Sequence, residues 1–384
     1  MAFKNVTVSE DYFQGHFPGT PLMPAVLMIE ALTQLAAALI LDRAGTSQAT
    51  RVSLRGVNGA KFRRNVFPGD RLQLEVTLGR VRSRLAKAHA RASVDSQTVA
   101  EAELLLAIEH GAAFIHPAAD VHPSARIGDG ATIGPHAVIG ADVTIGRNCQ
   151  IGSSVVIDGW TDVGDETQIY PMASIGLAPQ DLKYRGERTR LKIGRRNIFR
   201  EFVTINRGTA GGGGETTIGD NNLFMAYVHV AHDCRIGNDT IFGNAATLGG
   251  HVWVEDFATI SAFSGVHQFC RVGEHAFIGG YSVVTKDALP YAKTVGNRAR
   301  IYGLNTIGLI RRGFSEDTLS KLKRAYRYLL LSRLNTSRAI REIEQDRTLS
   351  CPEVAYLVDF IRGSQRGVLL RRPTRRAEEM VADE

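Results

Sequence analysis

From about Phe114 to Lys286 an aliphatic or aromatic residue returns every six positions. The series runs through Ile115, Val121, Ile127, Ile133, Ile139, Ile145, Ile151, Ile157, Val163, Ile169 and Ile175, and resumes in phase at Ile193, Phe199 and Ile205. After an insertion it restarts at Ile218 and holds through Phe224, Val230, Ile236, Phe242, Leu248, Val254, Ile260, Val266, Val272, Ile278 and Val284. A period of six fits neither the 3.6 of a helix nor the 2 of a lone strand. It fits a coil of short straight segments, each sending one apolar side chain inward, with Gly, Asn and Asp taking the turns. Pairs such as Ile127-Gly128 and Ile133-Gly134 carry that chemistry. The pattern predicts a parallel β-helix with three six-residue sides per coil. Stacking at about 4.8 Å gives about nine coils and a prism about 40 Å long. Each coil buries its apolar side chains only against its neighbours, so both ends need caps.

Ahead of the repeat the pattern differs. Pro18, Gly19, Pro21 and Pro24 exclude helix up to the last proline, which suits a helix start, and nothing from Ala25 to Asp42 breaks one. Arg51 to Ile108 alternates with period two, with turns at Pro68-Gly69-Asp70 and Asp95-Ser96. One long helix against an antiparallel sheet is an α+β layout. Behind the repeat, Ser315 before Glu316 and Asp317 reads as an N-cap, and Leu319, Leu322, Tyr326, Leu329 and Leu330 recur at helical spacing. Further helices are predicted over Ser337 to about Gln345 and Pro352 to Arg362. The expected domains are 1–109, 113–287, a helical cap over 288–371, and a disordered tail over 372–384 that is polar and charged. Glu109 to Ala112 is too short a linker for independent tumbling.

Composition refines this picture. The 384 residues, 44% apolar, are enough for two or three cored domains. Cys149, Cys234, Cys270 and Cys351 have no metal or redox spacing, which suits a reducing compartment, by default the cytoplasm. The first residues lack the basic and apolar regions of a signal peptide. Pro24 to Leu41 is apolar enough to mimic a membrane span. Glu30 and Gln34 lie in its middle, so it is read as a buried helix without stable membrane insertion. The net charge of +7 is uneven: residues 286 to 376 hold 20 Lys and Arg against 8 Asp and Glu. Such a field favours an acidic partner, whether protein, phosphate or nucleic acid, or belongs to solvated helix faces.

Three segments of the first domain, GHFPGTPLMP, IEALTQ fourteen residues after its histidine, and GAKFRRNVFPGD, resemble the β-hydroxyacyl-acyl-carrier-protein dehydratases of the hotdog fold. The resemblance implies that His16 removes a proton from C2 and Glu30 protonates the departing 3-hydroxyl. Elimination β to a thioester needs a base near pH 7, which imidazole supplies, and an acid that keeps its proton until needed. A carboxyl on an apolar helix is expected to have its charged form disfavoured. The bland reading is a His packed beside prolines and a Glu satisfied by a neighbour. Members of that family carry roughly forty residues ahead of this point, so an unpaired strand edge and a partly uncovered helix are expected here. Ala25 stands where the family has glycine.

The repeat is interrupted at Ala178 to Lys192 and at Gly208 to Thr217, the second containing GGGG, and loops on a rigid prism are where ligands are held. HVAHDC (His229 to Cys234), LGGH (Leu248 to His251), GVHQFC (Gly265 to Cys270) and GNRARIYGLNTIGLIRRGF (from Gly296) resemble the UDP-N-acetylglucosamine O-acyltransferase family of left-handed β-helices. The match runs from Phe114 to about Arg371. It implies His232 as the general base that takes the proton of the sugar 3-hydroxyl as that oxygen attacks an acyl-carrier-protein thioester. Asp233 would orient the imidazole, and Gly250 would offer its N–H to the oxyanion. By the same resemblance His229, His251 and Gln268 contact sugar or acyl groups, and Asp181 and Lys183 hold the sugar nucleotide. Asn305, Arg311 and Arg312 reach phosphopantetheine or nucleotide phosphates. Gly280 leaves the acyl groove open for a long 3-hydroxyacyl chain. Lys321, Lys323, Arg324 and Arg327 are expected to face an acidic carrier protein.

The resemblances together imply a two-activity fusion with no metal or redox cofactor. Its partners are acyl carrier protein and UDP-N-acetylglucosamine, not nucleic acid, and it assembles as a homotrimer or a dimer of trimers. Alternatives stay open: zinc held between subunits by His229, His232 and His251; an N-acyltransferase or acetyl-coenzyme-A-dependent acetyltransferase; a 3-amino acceptor; and a first domain that only scaffolds.

Overall fold

The computed structural model describes residues 1–17, 19–44, 50–81, 85–332 and 334–370. Pro18 of the HFPG segment and the 372–384 tail lie outside the described residues. The chain divides into two units, Met1–Ala112 and Ala113–Glu384.

In the first unit α1 (Ala25–Ala44) lies on an antiparallel sheet of β1 (Ala2–Asn5), β2 (Thr50–Phe62), β3 (Arg71–Val81), β4 (Leu85–Val94) and β5 (Gln97–His110), in the order β1-β3-β4-β5-β2. This is the expected hotdog layout. Ala86, Ala88, Ala90 and Ala92 form the inward face of β4, and side chains that small let the sheet close on Met28, Leu32, Ala36 and Ile40 of the helix. Asp95 and Ser96, both at positive φ, make the tight β4–β5 turn. The expected open edge is partly closed: Ala2–Asn5 pairs with Arg71–Leu74, and the rest of β3 has no partner on that side among the described residues.

The expected buried helix is half-buried. Val26 is 69% exposed, and Glu30, Gln34 and Ala38 continue its stripe away from the sheet. The span from Ala25 to Asp42 is long and apolar enough to cross a membrane, while its other face is spent on the sheet.

The second unit is the left-handed parallel β-helix. Its faces are sheets of nine, eight and eleven strands, and strands stack in register every eighteen residues, as in Val230 on Leu248 on Val266 on Val284. At the two loops the step lengthens while the inward residues stay paired, Ile175 with Ile205 and Ile205 with Val230, and the register shifts by a bulge only after Ile175. The six-residue series points inward, and Phe199, Phe224 and Phe242 stack inside at 4.8 and 4.7 Å. In the outermost coil Ile115 is 42% exposed.

The corners differ from expectation. The Gly of pairs such as Ile127-Gly128 and Ile133-Gly134 does not supply a positive φ; it allows close approach, since a Cβ on Gly128 would lie 2.7 Å from the Arg147 nitrogen. The left-handed corner residues are often large instead. They include Phe202, Tyr227, Phe263 and Tyr281 on one corner, Phe257, His275 and Tyr291 on a second, and Asp233, His251 and Phe269 on a third. One coil spacing suits ring stacking, and Phe202–Tyr227 and Phe263–Tyr281 lie 4.9 and 5.1 Å apart.

Beyond the coils, strands Ala292–Val295 and Arg300–Leu304 extend one face, and α2 (Thr306–Arg311) follows; neither had a periodic signal. Then come α3 (Glu316–Leu330), whose cap Ser315 accepts from the Thr318 N–H, α4 (Thr336–Gln345) and α5 (Pro352–Arg362). The cap is tied to the prism where Glu255 accepts from Arg271 at 2.6 Å and from Tyr356, with Arg271 over the Phe360 ring. Burial pushes the Glu255 carboxyl above its ordinary range.

Candidate active site

The third corner collects the histidines because residues eighteen apart share a column. Ala231, Gly249 and His267 form one column, His232, Gly250 and Gln268 the next, and Asp233, His251 and Phe269 the corner itself. His232 Nδ1 lies 2.7 Å from Asp233 Oδ2. A carboxylate only accepts, so Nδ1 carries the hydrogen and Nε2 keeps a lone pair for a proton. Asp233 is almost wholly buried, its side chain 1% exposed. Thr209 anchors it twice, through its N–H to Oδ1 at 2.8 Å and its hydroxyl to Oδ2 at 2.7 Å, and the Thr216 hydroxyl accepts the Asp233 N–H.

The GGGG segment is therefore not a loose loop. Ala210–Gly212 forms one 3₁₀ turn, capped by Thr209, that folds over the aspartate, and a Cβ on Gly212 would lie 2.1 Å from the carboxyl group. Thr209 and Gly212 escaped the sequence reading because their partner lies more than twenty residues away and neither belongs to a periodic pattern.

Gly250 is placed by the same logic. A Cβ there would come within 2.7 Å of His232 Cε1 and 3.0 Å of Nε2, so the missing side chain keeps the basic edge of the ring clear. Its N–H makes no hydrogen bond among the described residues. His251 packs edge-on to His232 at 5.3 Å, stacks on Phe269 at 4.4 Å and holds Nε2 3.7 Å from Asp233. Burial lowers its pKa, against the opposing charges of Asp233 and, more weakly, of Asp181 in the first loop. His229 shares a hydrogen bond with the Thr204 hydroxyl at 2.8 Å; burial first, then the nearby His232, lowers its pKa. The Lys183 N–H donates to Asp181 Oδ1 at 2.9 Å.

Other expected residues lie elsewhere on the prism. Gly280 adjoins the Phe263–Tyr281 corner, where a Cβ would meet nothing closer than the Ala262 oxygen at 3.5 Å. Asn305 stands at the N-cap position of α2 without a side-chain capping bond and donates Nδ2 to the His275 oxygen at 3.1 Å, and Arg312 lies over the Phe257 ring, so both adjoin the Phe257–His275 corner, with Arg311 next to Arg312 at the end of α2. On α3 the expected four free cations are reduced: Lys321 pairs with Asp317 at 2.6 Å and Arg324 with Asp346 at 2.8 Å.

In the first unit His16 Nδ1 donates to the Leu22 oxygen at 2.9 Å, which leaves Nε2 as an acceptor. Glu30 contradicts the expected apolar setting. It is exposed and accepts from Gln34 at 3.0 Å, because its stripe of α1 faces away from the sheet. No hydrogen bond or ion pair joins it to His16 among the described residues.

Residues 1–103 match the model of the FabA-like domain and 115–175 that of the GMPPB C-terminal domain. Residues 215–250 match that of the bacterial transferase hexapeptide (six repeats), and 287–369 that of UDP N-acetylglucosamine O-acyltransferase, domain 2. The acyl-(acyl-carrier-protein)–UDP-N-acetylglucosamine O-acyltransferase of Thermodesulfovibrio yellowstonii is 46% identical over 214 residues, 56% of this chain and 83% of that protein. The chain belongs to the UDP-N-acetylglucosamine O-acyltransferase family. Solved structures of UDP-N-acetylglucosamine acyltransferases agree. That from Bacteroides fragilis is 44% identical with a TM-score of 0.65, covering 67% of this chain and 100% of its own. That from Francisella novicida is 41% identical with a TM-score of 0.64, covering 68% and 95%. In this acyltransferase the FabA-like domain precedes the family's prism and cap.

Proposed function

We propose that the chain transfers an (R)-3-hydroxyacyl group from acyl carrier protein to the 3-hydroxyl of UDP-N-acetylglucosamine, the first step of lipid A synthesis, in the cytoplasm. The observation that carries this reading is the His232–Asp233 contact at 2.7 Å, which frees Nε2 as a base on an open corner. His232 takes the hydroxyl proton as the sugar oxygen bonds to the thioester carbon. The Gly250 N–H receives the charge that grows on the carbonyl oxygen, and Asp233 stabilises the imidazolium. As the C–S bond breaks, the imidazolium returns its proton to the departing thiolate. His229, His251 and Gln268 line the same columns for sugar and acyl contacts, with Asp181 and Lys183 on the nucleotide.

The chemistry needs no metal or redox cofactor. His232, Asp233 and His251 do offer ligand atoms within 4.8 Å of one another, which differs from the zinc set of His229, His232 and His251. Asp233 Oδ2 already accepts from two donors, which supports the proton-transfer reading. A stoichiometric zinc requirement would reverse that choice.

The proposed groups occupy three corners of one chain, so we assign a homotrimer, or a dimer of trimers, in which the Gly280 and Asn305–Arg312 corners of one copy complete the His232 corner of the next. The FabA-like domain, with His16 holding a free Nε2, would dehydrate the same acyl carrier, Glu30 acting once a partner surface buries it. Alternatively it serves only as a scaffold.

Mass spectrometry of products from UDP-N-acetylglucosamine with carriers of graded chain length tests the acyl transfer; absence of an ester product refutes it. An enoyl product that disappears in the His16→Ala, Glu30→Ala double variant decides between dehydratase and scaffold.

A further inference from the structure

The segment after α5 returns to the catalytic flank by way of one buried carboxylate. Asp287, 1% exposed, accepts from the Arg271 N–H at 2.8 Å and from the Ser364 hydroxyl at 2.7 Å. Its own N–H donates to the Gly367 oxygen at 3.0 Å, and its oxygen accepts from the Leu369 N–H at 2.9 Å. Three of these four hydrogen bonds lay residues 364–369 beside the last coil, with Val368 in a parallel bridge to Asp287.

That anchoring fixes Arg366. Its Nη2 lies 3.3 Å from His267 Nδ1, and it also bonds the Cys270 thiol. His267 occupies the column of Gly249, next to the one that holds His232, Gly250 and Gln268, and two coils beyond His232. Two coil spacings are roughly 10 Å. The guanidinium can only donate, so in this contact His267 Nδ1 accepts and its Nε2–H is left to donate outward. The competing contact of Nδ1 with the Gln268 oxygen at 3.2 Å needs the other tautomer, which the fixed charge beside it disfavours. Lys286 lies beside the same segment, its Nζ 3.7 Å from where a Cβ on Gly367 would stand. Neither Arg366 nor Lys286 has a carboxylate partner among the described residues. Two uncompensated cations and one imidazole donor therefore converge on an exposed flank, at a fixed height above the base.

We infer that Arg366, with His267 and Lys286, forms a phosphate-binding corner that seats one phosphate of a substrate while its reacting end lies at His232. This rests on the proposed acyl transfer, whose two substrates both carry phosphate: the carrier through its phosphopantetheine arm, the sugar through its pyrophosphate. A guanidinium carried on an anchored backbone and resting on an imidazole presents its fork to phosphate oxygens at reduced entropic cost.

Titration calorimetry on the full-length protein tests this without requiring turnover, so an inactive wild type would refute the acyl transfer and leave this result readable. The probes are 4′-phosphopantetheine against pantetheine, and UDP against uridine. Wild type is expected to bind the phosphorylated member of one pair about tenfold more tightly than its partner. In Arg366→Ala that ratio falls toward one, with Arg366→Lys between. Collapse of the first ratio identifies the carrier phosphate, and of the second the nucleotide phosphate. If both ratios survive in Arg366→Ala the site is refuted. Should that variant not fold, Arg366→Gln carries the same comparison, with the same two outcomes.

Discussion

Thr209 grips Asp233 with both its amide and its hydroxyl, so the carboxylate facing His232 is set by a residue twenty-four positions earlier in the chain. The dyad is adjacent in sequence, yet its geometry is decided across the fold. Asp233 sits at φ +61°, in the left-handed region that a short polar side chain such as aspartate adopts readily at a corner.

Thr209→Val keeps the amide bond and loses the hydroxyl one. It is expected to lower kcat about tenfold with KM for both substrates nearly unchanged, and Thr209→Ser to restore most of the loss. Steady-state kinetics check this; a fall in Thr209→Ser with Thr209→Val near wild type would show that the methyl packing matters instead.

Gly250→Ala places a methyl group against the Cε1–Nε2 edge of His232. The ring must turn away from its productive position, so kcat should fall by about a hundredfold while circular dichroism and melting temperature stay near wild type. Full activity in this variant would mean that the proton leaves by another route.

At Gly280 there is space for a larger side chain. Gly280→Met should shift product distribution toward shorter acyl chains without lowering the rate on the shortest carrier, as read by mass spectrometry. Unchanged chain preference would remove this corner from the acyl path.

His229 has its pKa lowered by burial, so its folded pKa lies below its unfolded one. Its contribution to stability is present above the unfolded value, near pH 6.5, and is lost as pH falls through the folded value. His229→Gln can keep a hydrogen bond to Thr204 but does not titrate. Between pH 7.5 and pH 5 its melting temperature should therefore fall less than that of wild type; a parallel fall would place the acid sensitivity elsewhere.

The prism was legible because its core residues recur locally, and the Ser315 cap and the helix over Pro352 to Arg362 because their signals lie within one turn. The base and its aspartate were legible through a short segment of family resemblance. Thr209, Gly212 and Arg366 were not, since each acts through a contact between distant loops. Glu30 misled for a different reason: α1 is apolar nearly all round, so its sequence could not tell which stripe the sheet would cover.

Because successive coils repeat at a constant rise, groups on one flank can be separated only in whole steps. Eighteen residues inserted between Cys234 and Leu248 would lift Gly250 and Gln268 by one rung relative to His232 while every strand kept a partner. The scaffold is in that sense a rack with notches, on which the reach between a proton acceptor and its accessory groups can be lengthened by gene duplication without redesigning the interior.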